Sequence, residues 1–411
     1  MSKPIYILGG YQTDFARTWS REGLDFSDMI KEAVEGALAD SHVDFPAVET
    51  VHVGNAMGEV YRGQAHMGPV VAQVLPQLRG LPAARHEGAC ASSSLATFAA
   101  AADLEAGRYQ CALVVGVEEE KNLPAEQGAE VQSVASWVGR EDLVCRYMWP
   151  AVFSHITREY EERENLDRRY LGRIAELNRT NARANPRAQT RKWTYDARTF
   201  STDNDVNPEV EPGVRRSDCT HLSDGACALI LATEEFAAAH VKRLGGRLSD
   251  LARIKGWGHR GDGIRFLDKM EHARGERYMF PHVRGAITDA WRRAGIGGVE
   301  QIDGIETHDC FAATEYLAID HFDLAPAGQA WRAIDEGWIE RGGKLPINAS
   351  GGLIGIGHPV GATGARMIYD AMRQVTGRAE GCQIDDARTM QTLNIGGSLA
   401  TIASFVIASG D

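Results

Sequence analysis

The same order of strand and helix signals runs through this chain twice, and that repetition constrains the fold more than any single motif. In the first part, a strand over Ile5 to Gly9 precedes an amphipathic helix with Phe26, Ile30, Val34 and Leu38 on one face. A strand over Thr50 to Gly54, a helix around His66 to Leu78 and a short strand ending near Cys90 come next. An Ala-rich helix from Ser92, stopped by Gly107, leads into an apolar strand over Cys111 to Val117. The last part repeats this order. A strand over Ala252 to Trp257 leads to a helix with Val283, Ile287, Trp291 and Ala294 on one face, and then to a strand over Gly304 to Thr307. A helix near Thr314 to Phe322, a strand over Leu345 to Asn348, a helix opened by Pro359 and two apolar strands within Met390 to Ile407 complete it. Alternation of this kind predicts an α/β chain whose parallel or mixed sheet is covered on both faces.

Between the repeats, from about Leu123 to His221, Pro, Asn, Arg and Trp break the pattern and no strand alternation is visible. This stretch reads as an inserted domain. The apolar run Cys227 to Ala232, behind Ser223-Asp224-Gly225, returns the chain to the first sheet. The expected division is 1–122 for the first part of the N-terminal half, 123–221 for the insertion, 222–249 for the return, and 250–411 for the C-terminal half. At roughly 150 residues per domain the length supports two or three domains.

Charge narrows the partners. A formal net charge of −12 disfavours nucleic acid. Yet between Arg168 and Arg198 nine basic residues face two acidic ones, a local balance of +7. Such an island either seeks a phosphorylated small molecule or is a solvated helix face. No apolar run reaches the roughly 18 residues of a membrane span, so no membrane insertion is expected. The opening MSKPIYILGG reads as a strand rather than a signal peptide, and the tail Ala408 to Asp411 is not a peroxisomal tripeptide. The expected location is cytoplasmic. Seven cysteines without a C-x-x-C pair point to free thiols and away from a closed zinc site.

Four stretches carry chemistry. Gly88-Ala89-Cys90-Ala91-Ser92 places a thiol where a strand gives way to a helix, whose free N–H groups favour a thiolate and hold an oxyanion. By itself Cys90 is either a nucleophile or a small packing residue. In Gly355-Ile356-Gly357-His358-Pro359-Val360-Gly361, the proline suits the first position of a helix, which puts His358 at its mouth. His308-Asp309-Cys310-Phe311 comes directly after a strand, at its carboxyl end, where open α/β sheets bind ligands. Asn394-Ile395-Gly396-Gly397-Ser398 ends another strand with backbone N–H groups available to the same cleft. Cys90, His308, Cys310 and His358 are also possible zinc ligands, but none shows finger or ribbon spacing, and no metal is expected. Cys111 and Cys227 read as core, while Cys145, Cys219 and Cys382 show no chemical neighbours.

Taken in order, these motifs resemble the thiolase family over essentially the whole chain. GACASSSLA is similar to its nucleophile helix, SDGACALILA to the return from its loop domain, and GGLIGIGHPVGATGARM to its histidine block. Within the family the chain resembles the sterol-carrier-protein type, through the pairing of His308-Asp309-Cys310-Phe311 with Asn394-Ile395-Gly396-Gly397-Ser398. No sterol-carrier module is expected behind Asp411.

The resemblance implies two βαβαβαββ halves in five layers, α-β-α-β-α, with an inserted loop domain that binds coenzyme A. It implies that Cys90 is acylated by a thioester while His358 accepts its proton, and that Cys310 deprotonates a second acyl-CoA. It implies one oxyanion site at His358 with a water on His308, and another at the N–H groups of Cys90 and Gly396, with Asn394 beside it. Acyl-CoA and free CoA would be substrates and no cofactor would be bound. Arg183, Arg187 and Arg191 in the basic island would grip the carrier. A homodimer or homotetramer is implied. The rival readings are an acyltransferase or carbon–carbon lyase with an accessory OB-fold subunit, and a non-catalytic acyl-CoA-binding protein.

Overall fold

The computed structural model describes residues 3–196 and 198–410. Met1, Ser2, Ala197 and Asp411, the last residue of the C-terminal tail, lie outside them. Nine strands form the main sheet: β1 (Ile5–Gln12), β2 (Thr50–Gly54), β3 (Ala83–His86), β4 (Cys111–Glu118), β5 (Gly225–Thr233), β6 (Ala252–Gly261), β7 (Gly304–Thr307), β8 (Thr389–Gly396) and β9 (Thr401–Ser409). Their spatial order is β3-β2-β4-β5-β1-β6-β9-β8-β7. β2 pairs in parallel with β3 and β4, and β7 pairs in parallel with β8. The first five strands and the last four are mirror images in order about the β1–β6 seam. That seam is thin, with three antiparallel pairs from Ile5↔Ile254 to Ile7↔Ala252.

The mirror is incomplete at one place. The expected strand over Leu345 to Asn348 is a single parallel bridge, Ile305↔Ile347, beside β7. Two backbone bonds join it to β7, Asn348 N to Ile305 O at 2.8 Å and Ile305 N to Pro346 O at 2.9 Å, while the Leu345 and Ile347 N–H groups donate to Trp338 O and Ile339 O. The Asn348 side chain turns back onto Thr307 N and Glu315.

Helices make the other layers. α1 (Phe26–Ser41) starts at Asp25, whose carboxylate accepts from Ser27 N while Asp28 accepts from Asp25 N. It buries Met29, Ile30, Ala33, Val34, Ala37 and Leu38 against β1, β4 and β5. On the opposite face of these strands lies α2 (Ser92–Glu105). In the second half, α3 (Pro281–Ala294) covers β6 and β9 from outside, and α4 (Ala312–His321) comes after β7. α5 (Gly352–Ile356) is one short turn, and α6 (Thr363–Val375) contacts strands of both halves and α2. Every residue of α6 is buried. The layers therefore run α1, first half-sheet, α2 with α6, second half-sheet, α3, as the sequence implied. The two central helices meet closely because Gly364 has no side chain; a Cβ there would sit 2.5 Å from Ser94 N.

Between β4 and β5 the chain leaves the sheet. It forms α7 (Ala125–Val131), α8 (Met148–Glu164), α9 (Arg169–Ala182) and a small ribbon of Glu209–Glu211 with Val214–Arg215. α8 and α9 pack their apolar faces, among them Phe153, Ile156, Leu171 and Ile174, into the core of the second half. No helix among the described residues is long and apolar enough to cross a membrane.

Candidate active site

The parallel strands aim their carboxyl ends at one cleft, and the loops leaving those ends build the site. After β3 the chain turns through Gly88-Ala89 into a single 3-10 turn, and Cys90 sits at its centre before α2 begins at Ser92. Ala89 is held at φ +50, a left-handed conformation that disfavours any residue with a Cβ. Ser92 holds this turn, accepting from Gly88 N at 3.1 Å and donating to Ala89 O at 2.6 Å. The helix end does not produce a standing thiolate. Burial pushes the Cys90 thiol up to about 12, Glu120 and Glu118 act in the same direction, and the N–H groups of Gly397 and Cys90 itself pull back only in part. Cys90 therefore needs a base.

An imidazole from the second half stands beside Cys90. His358 lies between α5 and α6, not at a helix mouth: Pro359 opens a 3-10 turn over Val360–Ala362, and α6 starts only at Thr363. The His358 backbone N–H donates to Ser223 Oγ at 2.9 Å. Its Nδ1 lies 2.7 Å from Thr363 Oγ1, and Thr363 gives its own hydroxyl proton to Pro359 O at 3.0 Å. Thr363 must then accept from Nδ1–H, which assigns the lone pair to Nε2. Burial, His308 and Arg366 keep His358 neutral by holding its pKa well below the ordinary imidazole value.

His308 is the complementary case. Asn394 Nδ2 donates to its Nδ1 at 3.1 Å, and the Asn394 carbonyl accepts from Ser94 Oγ at 2.8 Å. Its Nε2 therefore carries the proton. Burial and Arg366 hold this ring neutral, with a pKa near 3. The two imidazoles stand edge to face at 5.1 Å, one offering a lone pair and the other an N–H. Cys90, His308 and His358 place side-chain atoms within 4.8 Å of one another.

Asp309 ties the two loops together. Its carboxylate accepts from Leu353 N at 2.5 Å, Ile354 N at 3.1 Å and Asn178 Nδ2 at 2.8 Å. The turn that precedes His358 is thus pinned to the loop that carries His308 and Cys310. Gly352, at φ +57, is required here, since a Cβ would come within 2.4 Å of Asp309 Oδ2.

The thiolase N-terminal domain matches residues 5–235 and the thiolase C-terminal domain-like family matches 265–409. The chain belongs to the thiolase family. An acetyl-CoA acetyltransferase of Methanothermobacter thermautotrophicus is 28% identical over 411 residues, covering 99% of this chain and all of that protein. Sterol carrier protein 2 of Gallus gallus is 28% identical over 408 residues, covering 96% of this chain and 70% of its own length. Among solved structures, an Ltp2-ChsH2(DUF35) aldolase superposes with a TM-score of 0.77 at 20% identity, covering 99% of this chain and 98% of that one. The last likeness is one of fold.

In this thiolase a cavity of about 620 Å³ opens onto Cys90, Cys310, His358 and Gly397. Cys310 is buried, and burial together with Cys90 and Asp309 holds its thiol well above the ordinary value. His308 and Asn394 are buried at 2% and 1% exposure and stand behind this wall rather than in it. Gly396 closes the strand pair with Thr401 and packs on Gly88 O, so it is the next residue, Gly397 at φ +60, that faces Cys90.

The basic island dissolves on folding. Arg168, Arg169, Arg173, Arg191 and Arg198 pair with acids, Arg191 with Asp14 at 2.7 Å. Arg187 lies over the Tyr11 ring at 4.0 Å. Arg183 stands near Tyr195, and none of Arg183, Arg187 and Arg191 lines the cavity. The cations that do are Arg146 and Arg216, neither of which the sequence singled out. Cys219, set aside as lacking chemical neighbours, lines the cavity too and bridges to Phe311. Cys111 and Cys227 are buried core, as expected. Glu120 was also missed, although three acids after an apolar strand, at the end where ligands bind, were a visible signal.

Proposed function

We propose that this protein is an acyl-CoA C-acyltransferase that condenses or cleaves acyl groups through an acyl-Cys90 intermediate. The observation that carries it is the convergence of Cys90, His308 and His358, one side-chain atom of each lying within 4.8 Å of the others. Cys90 Sγ attacks a thioester carbonyl while His358 Nε2 takes its proton, and the same nitrogen returns the proton to the departing CoA sulfur. His358 Nε2, neutral again, takes the Cys310 thiol proton, the Cys310 thiolate removes a proton from the α-carbon of a second acyl-CoA, and the proton on His358 passes to the Cys90 sulfur when that is released. A thiol kept at high pKa by burial gives a strong conjugate base. The carbanion attacks acyl-Cys90, and the 3-oxoacyl-CoA leaves with Cys90 restored. Thiolysis is the reverse.

Two oxyanions develop. His358, once protonated, serves one, with the His308 N–H behind it holding a water, and the N–H groups of Cys90 and Gly397 serve the other. No metal is needed, and the positive field of Arg366, which depresses both imidazoles, opposes a dication among Cys90, His308 and His358. The phosphates of CoA fall to Arg216 and Arg146 at the cavity mouth, in the inserted segment that residues 123–221 form. β3, at the end of the sheet with one edge unpaired among the described residues, is where a second copy would add.

A second reading, a carbon–carbon lyase working with an accessory subunit, is favoured by one observation. Val134, Trp137, Val138 and Val144 are exposed beside Gln132 and Tyr147 of the cavity wall, an apolar surface suited to a partner. The aldolase with its DUF35 partner gives a precedent for that arrangement on this fold.

The test is acetoacetyl-CoA cleavage by free CoA, with intact mass read on a quenched sample. Turnover with an acetyl adduct, abolished in Cys90→Ala, is expected. Full turnover in Cys90→Ala would sink the proposal, and an adduct without turnover would move the reading to another acyl acceptor.

A further inference from the structure

Glu120 is a carboxyl that the proposed reaction does not use. It lies just beyond β4, is buried to 1% exposure, and lines the cavity with Cys90 and His358. Each hydrogen-bond partner of its carboxyl is a donor: Val360 N at 2.8 Å on Oε1, and Ser223 N at 3.3 Å with Gln132 Nε2 at 3.4 Å on Oε2. No cation pairs with it among the described residues. The adjacent Lys121 spends its ammonium on the carbonyls of Phe15 and Arg17. The acids Glu118 and Asp224 act on it in the same direction as burial, while Lys121 is a cationic neighbour that makes no ion pair with it.

A carboxylate in that position would be an uncompensated anion in a dry wall, so the group is held as the neutral acid, well above the usual carboxylate range, chiefly by burial. A neutral acid has one O–H to give. No acceptor among the described residues takes it, which leaves the cavity. The same wall holds the apolar residues Met57, Ala129, Ala135 and Val360 beside polar ones such as Gln132, Thr220 and His221. Glu120 is a buried carboxyl in that mixed wall, and a few placed polar groups are how a pocket selects one oxygen.

We propose that Glu120 is a specificity-determining residue that donates a hydrogen bond to an oxygen on the acyl chain beyond the thioester. The preferred substrates are accordingly oxo- or hydroxyacyl-CoA esters rather than plain alkanoyl-CoA. This rests on the acyl-Cys90 reading. A plain chain would strip water from the Glu120 O–H and offer nothing back, the situation in which a buried polar group rejects an analogue most strongly.

The experiment measures the rate of Cys90 acylation by intact mass, using hexanoyl-CoA and hexanoyl-CoA analogues that carry an oxo or hydroxyl group at successive positions beyond the β-carbon. In the unaltered protein the best oxygenated chain is expected to acylate about 10- to 100-fold faster than hexanoyl-CoA. Glu120→Met is expected to bring that ratio to within about threefold of one, whereas Glu120→Gln, which keeps a donor, retains most of it. A ratio near one at every position in the unaltered protein overturns the inference without recourse to any variant. Loss of the ratio in the Gln and Met variants alike also overturns it, since that would assign the effect to the clamp on Val360 and Ser223. Equal adducts from both substrates sink this inference alone, whereas no adduct from either sinks the acyl-Cys90 reading.

Discussion

The two halves of this thiolase share a topology but stand on different ground. Behind Cys90, the first turn of α2 presents Ser92, Ser93 and Ser94, all buried and uncharged. Behind His308, Cys310 and His358 lies a buried charged cluster. Arg366, fully buried, reaches Glu306 at 3.2 Å and Asp370 at 3.0 Å, while Asp309 and Glu315 share Asn178. One guanidinium faces four carboxyls. Burial outweighs it, raising Glu306 to about 7, Asp309 to about 6 and Glu315 to about 8. The difference shows that one fold used twice does not create one environment twice. The first half delivers a thiol on a strained turn; the second delivers neutral imidazoles whose tautomers are assigned by fixed partners, on loops that Asp309 and Asn348 hold in place.

The sharpest way to break this comparison is to remove the base. His358→Ala is expected to slow acylation of Cys90 by about 10³-fold, because a thiol near 12 has no other route to a nucleophile. Acylation within tenfold of the unaltered rate would mean that the helix end activates Cys90 without help from the second half. Cys310→Ala separates the steps within that half. The acyl-Cys90 adduct should form normally while condensation falls by about 10²-fold or more, and adduct formation lost in parallel would make Cys310 a packing residue.

Thr363→Val probes the tautomer. Leaving Nδ1–H without its acceptor is expected to lower kcat by about tenfold with KM within about twofold. A change confined to KM would place Thr363 in binding.

The smallest expected effect is on stability against pH. Glu306 and Glu118, near 7, and Glu315, near 8, have folded pKa values above their unfolded ones. Their contribution is complete below the unfolded value and is lost as pH rises through the folded one, so it falls up to about pH 8. Buried His52, near 4, and His308, near 3, have lowered values and act oppositely, gaining as pH rises to about 6.5. Between about pH 4.5 and 6.5 the two sets largely offset, and Tm should fall by a few degrees mainly between about pH 6.5 and 8, where the imidazole gain has ended and the acids still lose. Glu315→Gln should flatten the alkaline limb. A limb unchanged by that substitution would remove Glu315 from the account.

Much of the fold was legible because burial repeats with the period of the element. Phe26, Ile30, Val34 and Leu38 announced α1, and β2 and β7 appear at their expected bounds. The strand over Leu345 to Asn348 shrank to one bridge because apolar content says nothing about where the Leu345 and Ile347 N–H groups go, which is to Trp338 O and Ile339 O rather than to another strand. The proline rule misplaced His358 by one turn, since a 3-10 turn intervenes before α6. Cys90, His308 and Cys310 were singled out by residue type and position at strand ends and His358 by its Gly-rich turn, and the structure brings them to one cleft. The cations that line the cavity, Arg146 and Arg216, were not. Arg168, Arg169 and Arg198 meet Glu161, Asp167 and Asp203, acids just outside the stretch that was counted, while Arg173 and Arg191 meet Asp335 and Asp14, partners too far along the chain for local composition to reveal.

The sequence by itself determined the doubled α/β order, the excursion between β4 and β5, and the placement of thiols and an imidazole directly after strands, because these depend on residue type and short-range spacing. Only the tertiary structure decided which imidazole nitrogen holds a lone pair, that Gly397 rather than Gly396 faces Cys90, and that Glu120 stands uncharged in the cavity wall. Each of those depends on a partner brought close by folding and on the loss of water around it, and neither is a property of any stretch of chain read alone.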